Sequence, residues 1–265
     1  MRALILIVLA IGPIVTRLLA QSSGTAPYYT AASIANSASN TAGPYAPNTF
    51  LSIYGQNLAY TVQQLLPSDI QGGMLPTDLP GTFLRVLINL IPAYIYYVSP
   101  GQVNVLVPSL LAPGPVNLQL ELDGIAGPAV PLALAATAPG LFTQADGTTL
   151  LATHGDGSVV TAESPAHAGE EIVLYASGLG PVNPPVPSGQ IPQSAWQLAD
   201  RANFQVLING AAIDAKWIDY AGVAPGFAGL YQINVTLPLD TPANPEVRIG
   251  ASGALSPAQR YLPVQ

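Results

Sequence analysis

The segment Gln102-Val-Asn-Val-Leu-Val-Pro108 constrains the fold most, because it occurs twice. Its second copy, Gln232-Ile-Asn-Val-Thr-Leu-Pro238, lies 130 residues further along the chain. In both copies every second residue is Val, Ile or Leu, the pattern of a strand with one buried face. A proline ends each copy and cannot donate a hydrogen bond to a neighbouring strand. We therefore expect one β-unit that is made twice.

Other segments repeat in the same order around this strand. The matching pairs are Leu51–Tyr54 with Ile172–Tyr175, Val86–Asn89 with Val206–Asn209, and Pro115–Gln119 with Pro245–Ile249, the last at the same 130-residue offset. Asn209-Gly210 predicts a tight hairpin turn, since both residues accept a positive φ. Asn89-Leu90 predicts a different turn, since Leu resists that conformation.

Composition favours many short strands joined by turns. Hydrophobic residues make up 49% of the 265 residues and charged residues only 8%, with 25 Gly and 27 Pro. Almost no helical periodicity is present. These features predict an all-β protein made of two tandem immunoglobulin-like β-sandwiches. We expect an exposed lead-in at 21–47 with room for one edge strand, a first sandwich at 48–138 and a second at 139–265.

The first 20 residues have the pattern of a secretory signal. Arg2 is followed by an apolar run from Ala3 to Val15 and then by Leu18-Leu19-Ala20. The alternative is an uncleaved membrane anchor, but the uncharged run is shorter than the ~20 residues that span a bilayer. A secreted or extracytoplasmic location is therefore expected, with no stable membrane insertion after cleavage. The chain has no cysteine, so its stability there must come from packing.

Charge argues against some partners. The net charge is -7. Removal of residues 1–20 takes away two arginines and no acid, which leaves 5 basic against 14 acidic residues, or -9. A sparse, acidic surface disfavours nucleic acid or an anionic membrane as a partner.

No residue set predicts catalysis or a cofactor. His154 and His167 lack the further ligands that a zinc site needs. Ser177 lacks the Gly-x-Ser-x-Gly frame of a nucleophile elbow. Glu170 and Glu171 are adjacent, and in a strand they point to opposite faces, so they cannot form a facing catalytic pair.

Two aspartates leave an alternative open. Asp146-Gly147 and Asp156-Gly157-Ser158 could offer oxygens to calcium, or could act as carboxylates of a polysaccharide-active enzyme. The Asp-x-Asp-x-Asp run of a dedicated calcium loop is missing, and Asx turns explain both segments more simply. We therefore predict no metal site.

Polar and aromatic residues near the turns provide the remaining candidates. Gln102 and Asn104, with their counterparts Gln232 and Asn234, could line a binding surface. The favoured reading is structural, with their amides holding the preceding turn by hydrogen bonds to backbone groups. Trp196 lies in the long loop at 180–200 and is a weak ligand-binding candidate, since loops of sandwiches often carry recognition. Its alternative role is an apolar anchor for its own loop.

Several motifs occur together in one order. They are Tyr96-Tyr-Val-Ser-Pro-Gly-Gln-Val-Asn104, Ala138-Pro-Gly-Leu-Phe142, Leu174-Tyr-Ala-Ser-Gly-Leu-Gly-Pro-Val182 and Gly229-Leu-Tyr-Gln-Ile-Asn-Val235. The chain from about Ile34 onward resembles an uncharacterised domain family of secreted acidobacterial proteins. More broadly it is similar to the TIG/IPT modules of surface proteins. The resemblance implies export and paired β-sandwiches, and it carries no known catalytic residue.

Two functions follow as expectations. The first is an exported, non-catalytic module for interaction or structure at the cell surface or envelope, with an envelope glycan or protein as its partner. The second is a secreted protein that binds or acts on polysaccharide through the loops between strands.

Overall fold

The computed structural model describes residues 25–265, and the expected signal segment at 1–20 lies outside that range. The described chain is all-β and forms two tandem immunoglobulin-like β-sandwiches related by an internal repeat. This confirms the predicted fold class.

The strands are short and follow one another throughout the chain. In order they are β1 (Ile34–Asn36), β2 (Phe50–Tyr54), β3 (Gln63–Gln64), β4 (Leu84–Ile88), β5 (Ile91–Pro92), β6 (Tyr94–Val98), β7 (Gln102–Leu106), β8 (Gly114–Leu122), β9 (Ile125–Ala126), β10 (Val130–Leu134), β11 (Gly140–Leu141), β12 (Ala152–His154), β13 (Glu171–Ser177), β14 (Val182–Asn183), β15 (Gln197–Leu198), β16 (Phe204–Ile208), β17 (Ala211–Ala212), β18 (Ile218–Val223), β19 (Tyr231–Thr236), β20 (Val247–Ala251) and β21 (Ala254–Leu255). Short 3-10 helices occupy Ala31–Ser33, Pro67–Asp69, Arg201–Asn203 and Ala215–Trp217.

Each sandwich packs two antiparallel sheets around its own core. In the first, the sheet β1-β2-β7-β6-β3 faces the sheet β10-β8-β4-β5, and β9 pairs with β8. In the second, β11-β13-β19-β18-β15-β14 faces β17-β16-β20-β21, and β12 also pairs with β13. Leu51, Val103 and Leu118 are fully buried in the first core, and Ile233 and Ile249 in the second. The alternating apolar residues of the repeated strand thus line the core in both copies.

The strand registers show that β7 and β19 occupy the same place. β7 lies between β2 and β6, and β19 lies between β13 and β18. The neighbouring strand bulges at the same point in both copies, with Tyr96 as the extra residue of β6 and Asp219 as that of β18. A bulge that recurs at one register position is strong evidence that the two units share one architecture.

One expected alignment was off by a residue. Val86 pairs with Leu120 in the first sandwich, and Val206 pairs with Ile249 in the second. Ile249 therefore corresponds to Leu120, and not to Gln119 as the constant offset predicted. A shift of one residue moves a side chain to the other face of a strand. Leu120 and Ile249 are both fully buried in their cores, which settles the correct register.

The first hairpin turns in the same way as the second. Asn89 and Leu90 have φ values of 48° and 65°, close to the 48° and 81° of Asn209 and Gly210. The Asn89 Oδ1 atom accepts a hydrogen bond from the backbone N–H of Asn117 at 2.8 Å, and Asn209 makes the matching bond. The expectation of a different turn was wrong, because this asparagine bond fixes the turn and leaves Leu90 strained but 83% exposed.

The segment expected to be an exposed lead-in contributes to the first core. Tyr29, Ile34 and Tyr45 are 1–2% exposed and belong to that core, whereas the expected edge strand is present as β1. The Tyr45 hydroxyl donates to the Ile34 carbonyl oxygen at 2.6 Å, so the buried phenol has a partner. Residues 29–46 are therefore an integral part of the first sandwich rather than an exposed lead-in.

A third apolar cluster joins the two sandwiches. Its buried members are Ala38, Phe50, Leu75, Leu106, Phe142, Tyr175, Ala224, Ala228 and Leu230. The Phe50 ring lies edge-on to Tyr96 at a centroid distance of 4.8 Å and to Phe142 at 6.4 Å. The Tyr96 hydroxyl donates to the Ala228 carbonyl oxygen at 2.9 Å. We call this contact the junction.

The two long loops pair with each other across the junction. The backbone N–H of Leu75 donates to the Gly189 carbonyl oxygen at 2.9 Å, and that of Ile191 donates to the Gly73 carbonyl oxygen at 2.8 Å. The Tyr94 hydroxyl donates to Ser188 O at 2.8 Å. The loops at 59–80 and 180–200 thus use their middle parts to hold the sandwiches together, although the second of them was expected to carry recognition.

Candidate functional site

Trp196 is packed against its own sandwich. Its side chain is half-buried against the second core. Its carbonyl oxygen accepts hydrogen bonds from the Tyr220 hydroxyl at 3.0 Å and from the Val223 N–H at 3.0 Å. These contacts support the role of loop anchor, and a ligand contact by Trp196 stays a prediction.

The repeated amide pairs bond along their strands. Gln102 Nε2 donates to Asn104 Oδ1 at 2.9 Å, and Gln232 Nε2 donates to Asn234 Oδ1 at 2.7 Å. In the first copy the preceding turn is held by Ser99, whose Oγ accepts from the Gln102 N–H at 2.9 Å. The described amide bonds thus orient each pair along its strand, and the turn-holding role expected for the amides belongs to Ser99 in that copy.

A polar cleft opens at one end of the second sandwich. It has a volume of about 410 Å³. The turn after β12 forms one wall and the segment leading into β13 forms the other. We call it the His154 cleft; its lining residues are His154, Gly155, Asp156, Ser158, Ser164, Pro165, His167 and Glu170.

An ion pair lies in the wall of the cleft. The His154 Nδ1 and Glu170 Oε1 atoms are 2.5 Å apart, and His154 Nε2 is 3.1 Å from the Ser164 carbonyl oxygen. The Ser164 hydroxyl also lies 3.4 Å from Nε2, so this ring nitrogen can donate to the carbonyl or accept from the hydroxyl. The hydrogen bond to Glu170 is the main cause that raises the His154 pKa, against an opposing effect of burial. Glu170 Oε2 also accepts from the His167 N–H at 2.8 Å, so the pair ties both walls together.

Asp156 occupies a tight Asx turn at the rim. Its Oδ1 accepts from the Ser158 N–H at 2.9 Å and from the Ser158 hydroxyl at 2.7 Å. The hydroxyl bond is the largest of the effects that lower the Asp156 pKa. Asp146 forms a similar turn, where burial would raise its pKa but hydrogen bonds from Thr149 and Thr148 outweigh it and lower the pKa. Asx turns therefore account for both aspartates.

No metal-holding cluster accompanies these groups in the part of the chain that the structure describes. Within residues 25–265 no three His, Cys, Asp or Glu side chains are arranged to hold a metal ion. Glu170 bonds His154, whereas its neighbour Glu171 accepts from Asn234 Nδ2 at 3.1 Å. The two adjacent carboxylates thus serve different partners.

Asn36 of the first sandwich occupies the position that His154 occupies in the second. Asn36 pairs with Leu51 as His154 pairs with Ile172, so β1 and β12 are equivalent strands. This repeat was missed because Ile34–Asn36 and Ala152–His154 have different residues at every equivalent position, and only the register reveals the correspondence.

Thr49 and Glu170 also correspond. Thr49 Oγ1 accepts from the Ala46 N–H at 3.3 Å, as Glu170 accepts from the His167 N–H. The backbone N–H of Val107 bonds to Thr49 O, and that of Leu237 bonds to Glu170 O. The neutral residues Asn36 and Thr49 of the first copy therefore occupy the places that His154 and Glu170 occupy in the second.

The end of the sandwich that carries these residues is covered in the first copy and open to solvent in the second. Asn36 and Thr49 are 4% and 0% exposed. Asn36 Nδ2 donates to the Ala138 carbonyl oxygen at 3.4 Å, and a Cβ atom on Gly178 would lie 3.1 Å from Thr49 Oγ1. The second sandwich covers this end of the first, whereas the equivalent surface of the second forms the His154 cleft.

Comparison with known proteins reveals likeness of fold only. No protein-family model and no curated protein sequence matches the chain. A surface glycan-binding protein of the Bacteroides ovatus mixed-linkage glucan utilization locus, solved with a mixed-linkage heptasaccharide, is 12% identical with a TM-score of 0.32. The alignment covers 83% of this chain and 43% of that one, so the chain spans less than half of that protein.

Two further structures are similar at the same level. Domains 5–6 of the S-layer protein SbsC are 10% identical with a TM-score of 0.28, over 90% of this chain and 98% of that one. Tandem Ig repeats of Dlar are 11% identical with a TM-score of 0.21, over 83% and 90%. Separately, none of the helices within residues 25–265 has the length and apolar character to cross a membrane.

Proposed function

We propose that the protein is an exported, non-catalytic double β-sandwich that serves in binding or structure at the cell surface or envelope. The observation that carries the proposal is the junction, which ties the two sandwiches into one body through apolar packing and paired loops. A body fixed in this way holds its free surfaces in a constant relative position, which lowers the entropic cost of binding a partner.

The proposal includes several features of the chain that the fold alone leaves open. Residues 1–20 act as a cleaved signal, and the sandwiches divide near residue 138, in line with a first core that ends at Leu134 and a second that begins at Leu141. The ordered motifs support membership in the uncharacterised family of secreted acidobacterial proteins. Neither nucleic acid nor an anionic membrane suits the acidic surface.

The test is expression of the full chain in a bacterial host, followed by fractionation and N-terminal sequencing. We expect the protein outside the cytoplasm, with a new N-terminus near Gln21 and retention on isolated cell envelopes. Accumulation of unprocessed protein in the cytoplasm would contradict export. An exported protein that washes freely from the envelopes would contradict the surface role.

Glycan binding is a second candidate function, favoured by the His154 cleft. Its polar lining offers both donors and acceptors to a hydroxyl-rich ligand. Glycoside hydrolysis is disfavoured by the hydrogen bonds that Asp146 and Asp156 accept in their turns, since a general acid needs a raised pKa. Asp146 and Asp156 both have lowered pKa values. We expect no hydrolysis of polysaccharide panels; turnover that is lost on Asp156→Asn would contradict this.

A further inference from the structure

We propose that the His154 cleft binds one residue of a neutral saccharide chain. The inference deepens the glycan-binding candidate and rests on the proposed surface role.

The internal repeat marks this end of the sandwich as a contact surface. In the first copy the equivalent end is covered by polypeptide, and its Asn36 and Thr49 are buried and neutral. In the second copy the same positions carry His154 and Glu170, and the surface stays open as a cleft of about 410 Å³. The size suits a small ligand. Because the residues at these positions differ from those of the first copy, the second copy does not offer the same surface for packing against another sandwich.

The cleft contains polar groups with bonding capacity to spare. Among the described residues, no hydrogen bond uses Asp156 Oδ2 or the His167 ring. The Ser158 hydroxyl gives its proton to Asp156 and keeps its lone pairs for a donor. Carboxylate oxygens, a ring nitrogen and hydroxyl groups on two facing walls can bond to several hydroxyls of one ligand at once.

The cleft is held in shape before any ligand arrives. His154 bonds Glu170 through one ring nitrogen and Ser164 through the other, so the two walls are tied together. The Ser158 bonds to Asp156 fix the turn at the rim. A preformed site loses less conformational entropy on binding than a flexible one.

The charge and polarity of the lining select the ligand class. Pro165 offers the only apolar ring in the lining, so an apolar ligand would leave buried polar groups unpaired. The two carboxylates of Asp156 and Glu170 keep the lining negative whether His154 is neutral or protonated, so uronates and sugar phosphates would be repelled. Neutral hexose or pentose units satisfy both conditions.

The test uses the full chain, expressed and exported, against panels of neutral and uronate-containing oligosaccharides, with affinities measured by isothermal titration calorimetry. We expect binding of at least one neutral oligosaccharide and weaker binding of its uronate counterpart. Asp156→Asn and His167→Ala should each weaken binding about 10-fold or more, because each removes a hydrogen bond to a ligand hydroxyl. Asp146→Asn is the matched control, since it alters a similar Asx turn outside the cleft, and it should leave affinity unchanged. Melting curves check that all variants are folded.

The outcomes separate the two proposals. If the double variant Asp156→Asn, His167→Ala still binds neutral saccharide, the cleft is refuted as the binding site, and glycans bind elsewhere on the protein. Absence of binding to every saccharide overturns the cleft and the glycan candidate together, whereas retention on envelopes, measured separately, decides the surface role. Equal or tighter binding of uronates refutes the charge argument.

Discussion

Phe50 offers a direct test of the junction. Its side chain is 6% exposed and lies edge-on to Tyr96 in its own sandwich and to Phe142 in the other. Transfer of a phenyl ring to water accounts for about 1.5–3 kcal/mol, and the cavity left by Phe50→Ala raises the total to about 3–5 kcal/mol. Edge-to-face contacts with two rings place the expected loss in this range rather than below it.

The assay is urea denaturation of Phe50→Ala and the wild type, followed by circular dichroism and by tryptophan fluorescence. Trp196 and Trp217 both lie in the second sandwich, so fluorescence reports on that half alone. We expect the variant to lose about 3–5 kcal/mol of unfolding free energy and its fluorescence and dichroism transitions to separate, since the sandwiches are then less coupled. Phe83→Ala is the matched control: Phe83 is 67% exposed, and its loss should change stability by less than about 0.5 kcal/mol. Equal losses in the two variants, or a Phe50→Ala loss below about 1 kcal/mol, would refute the assignment of Phe50 to a tight junction.

Three further predictions concern the repeat and the cleft. Leu90→Gly should stabilise the protein by about 0.5–1 kcal/mol, because glycine adopts the positive φ without strain and the lost side chain is exposed. Thermal denaturation measures this change, and a lower melting temperature would contradict the prediction. His154 has a raised pKa in the folded state, so its contribution to stability is complete below the ordinary histidine pKa of about 6.5 and is lost as pH rises through the raised value. Melting temperatures from pH 5 to 9 should show this loss in the wild type and not in His154→Asn; identical pH profiles would refute the ion pair with Glu170. Asn104→Ala should cost about 1–3 kcal/mol and Asn234→Ala less than about 1, since Asn104 is 4% exposed and Asn234 bonds a solvent-exposed carboxylate; equal losses in urea denaturation would count against this difference.

The sequence predicted strands β7 and β19 because the residues on both faces of each strand were informative. Alternating apolar residues identified the buried face, and the paired Gln and Asn marked the same register twice. The same reasoning allowed an edge strand within 21–47 but did not locate β1, since Ile34 is the only large apolar residue of Ile34–Asn36 and its neighbours are mostly Ser, Ala and Thr. It also failed for the Asn89-Leu90 turn, where a single asparagine hydrogen bond outweighs the resistance of leucine to positive φ.

The junction could not be predicted from strand patterns for a general reason. Alternation separates residues that face the core from those that face outward, but it does not say whether the outer side meets water or another domain. Phe50 and Leu106 are outward-facing on β2 and β7, and both are buried only because the second sandwich covers them. The His154 cleft was missed for a related reason. Its residues come from the turn after β12 and from the segment that leads into β13, and strand patterns do not show that these two segments lie side by side.

Register equivalence explains why the first sandwich is covered at this end and the second is not. Phe50, Leu106 and Tyr96 of the first copy correspond to Glu171, Thr236 and Asp219 of the second. The apolar set packs against the turn that contains Ala228, whereas the polar set is joined by a hydrogen bond from Thr236 Oγ1 to Asp219 Oδ2 at 2.9 Å. A like sandwich that docked there would bury two carboxylates that have hydrogen bonds but no ion-pair partner among the described residues, which costs several kcal/mol. Three changed side chains thus give the second copy a polar surface where the first copy has an apolar one, and the His154 cleft lies beside that polar surface.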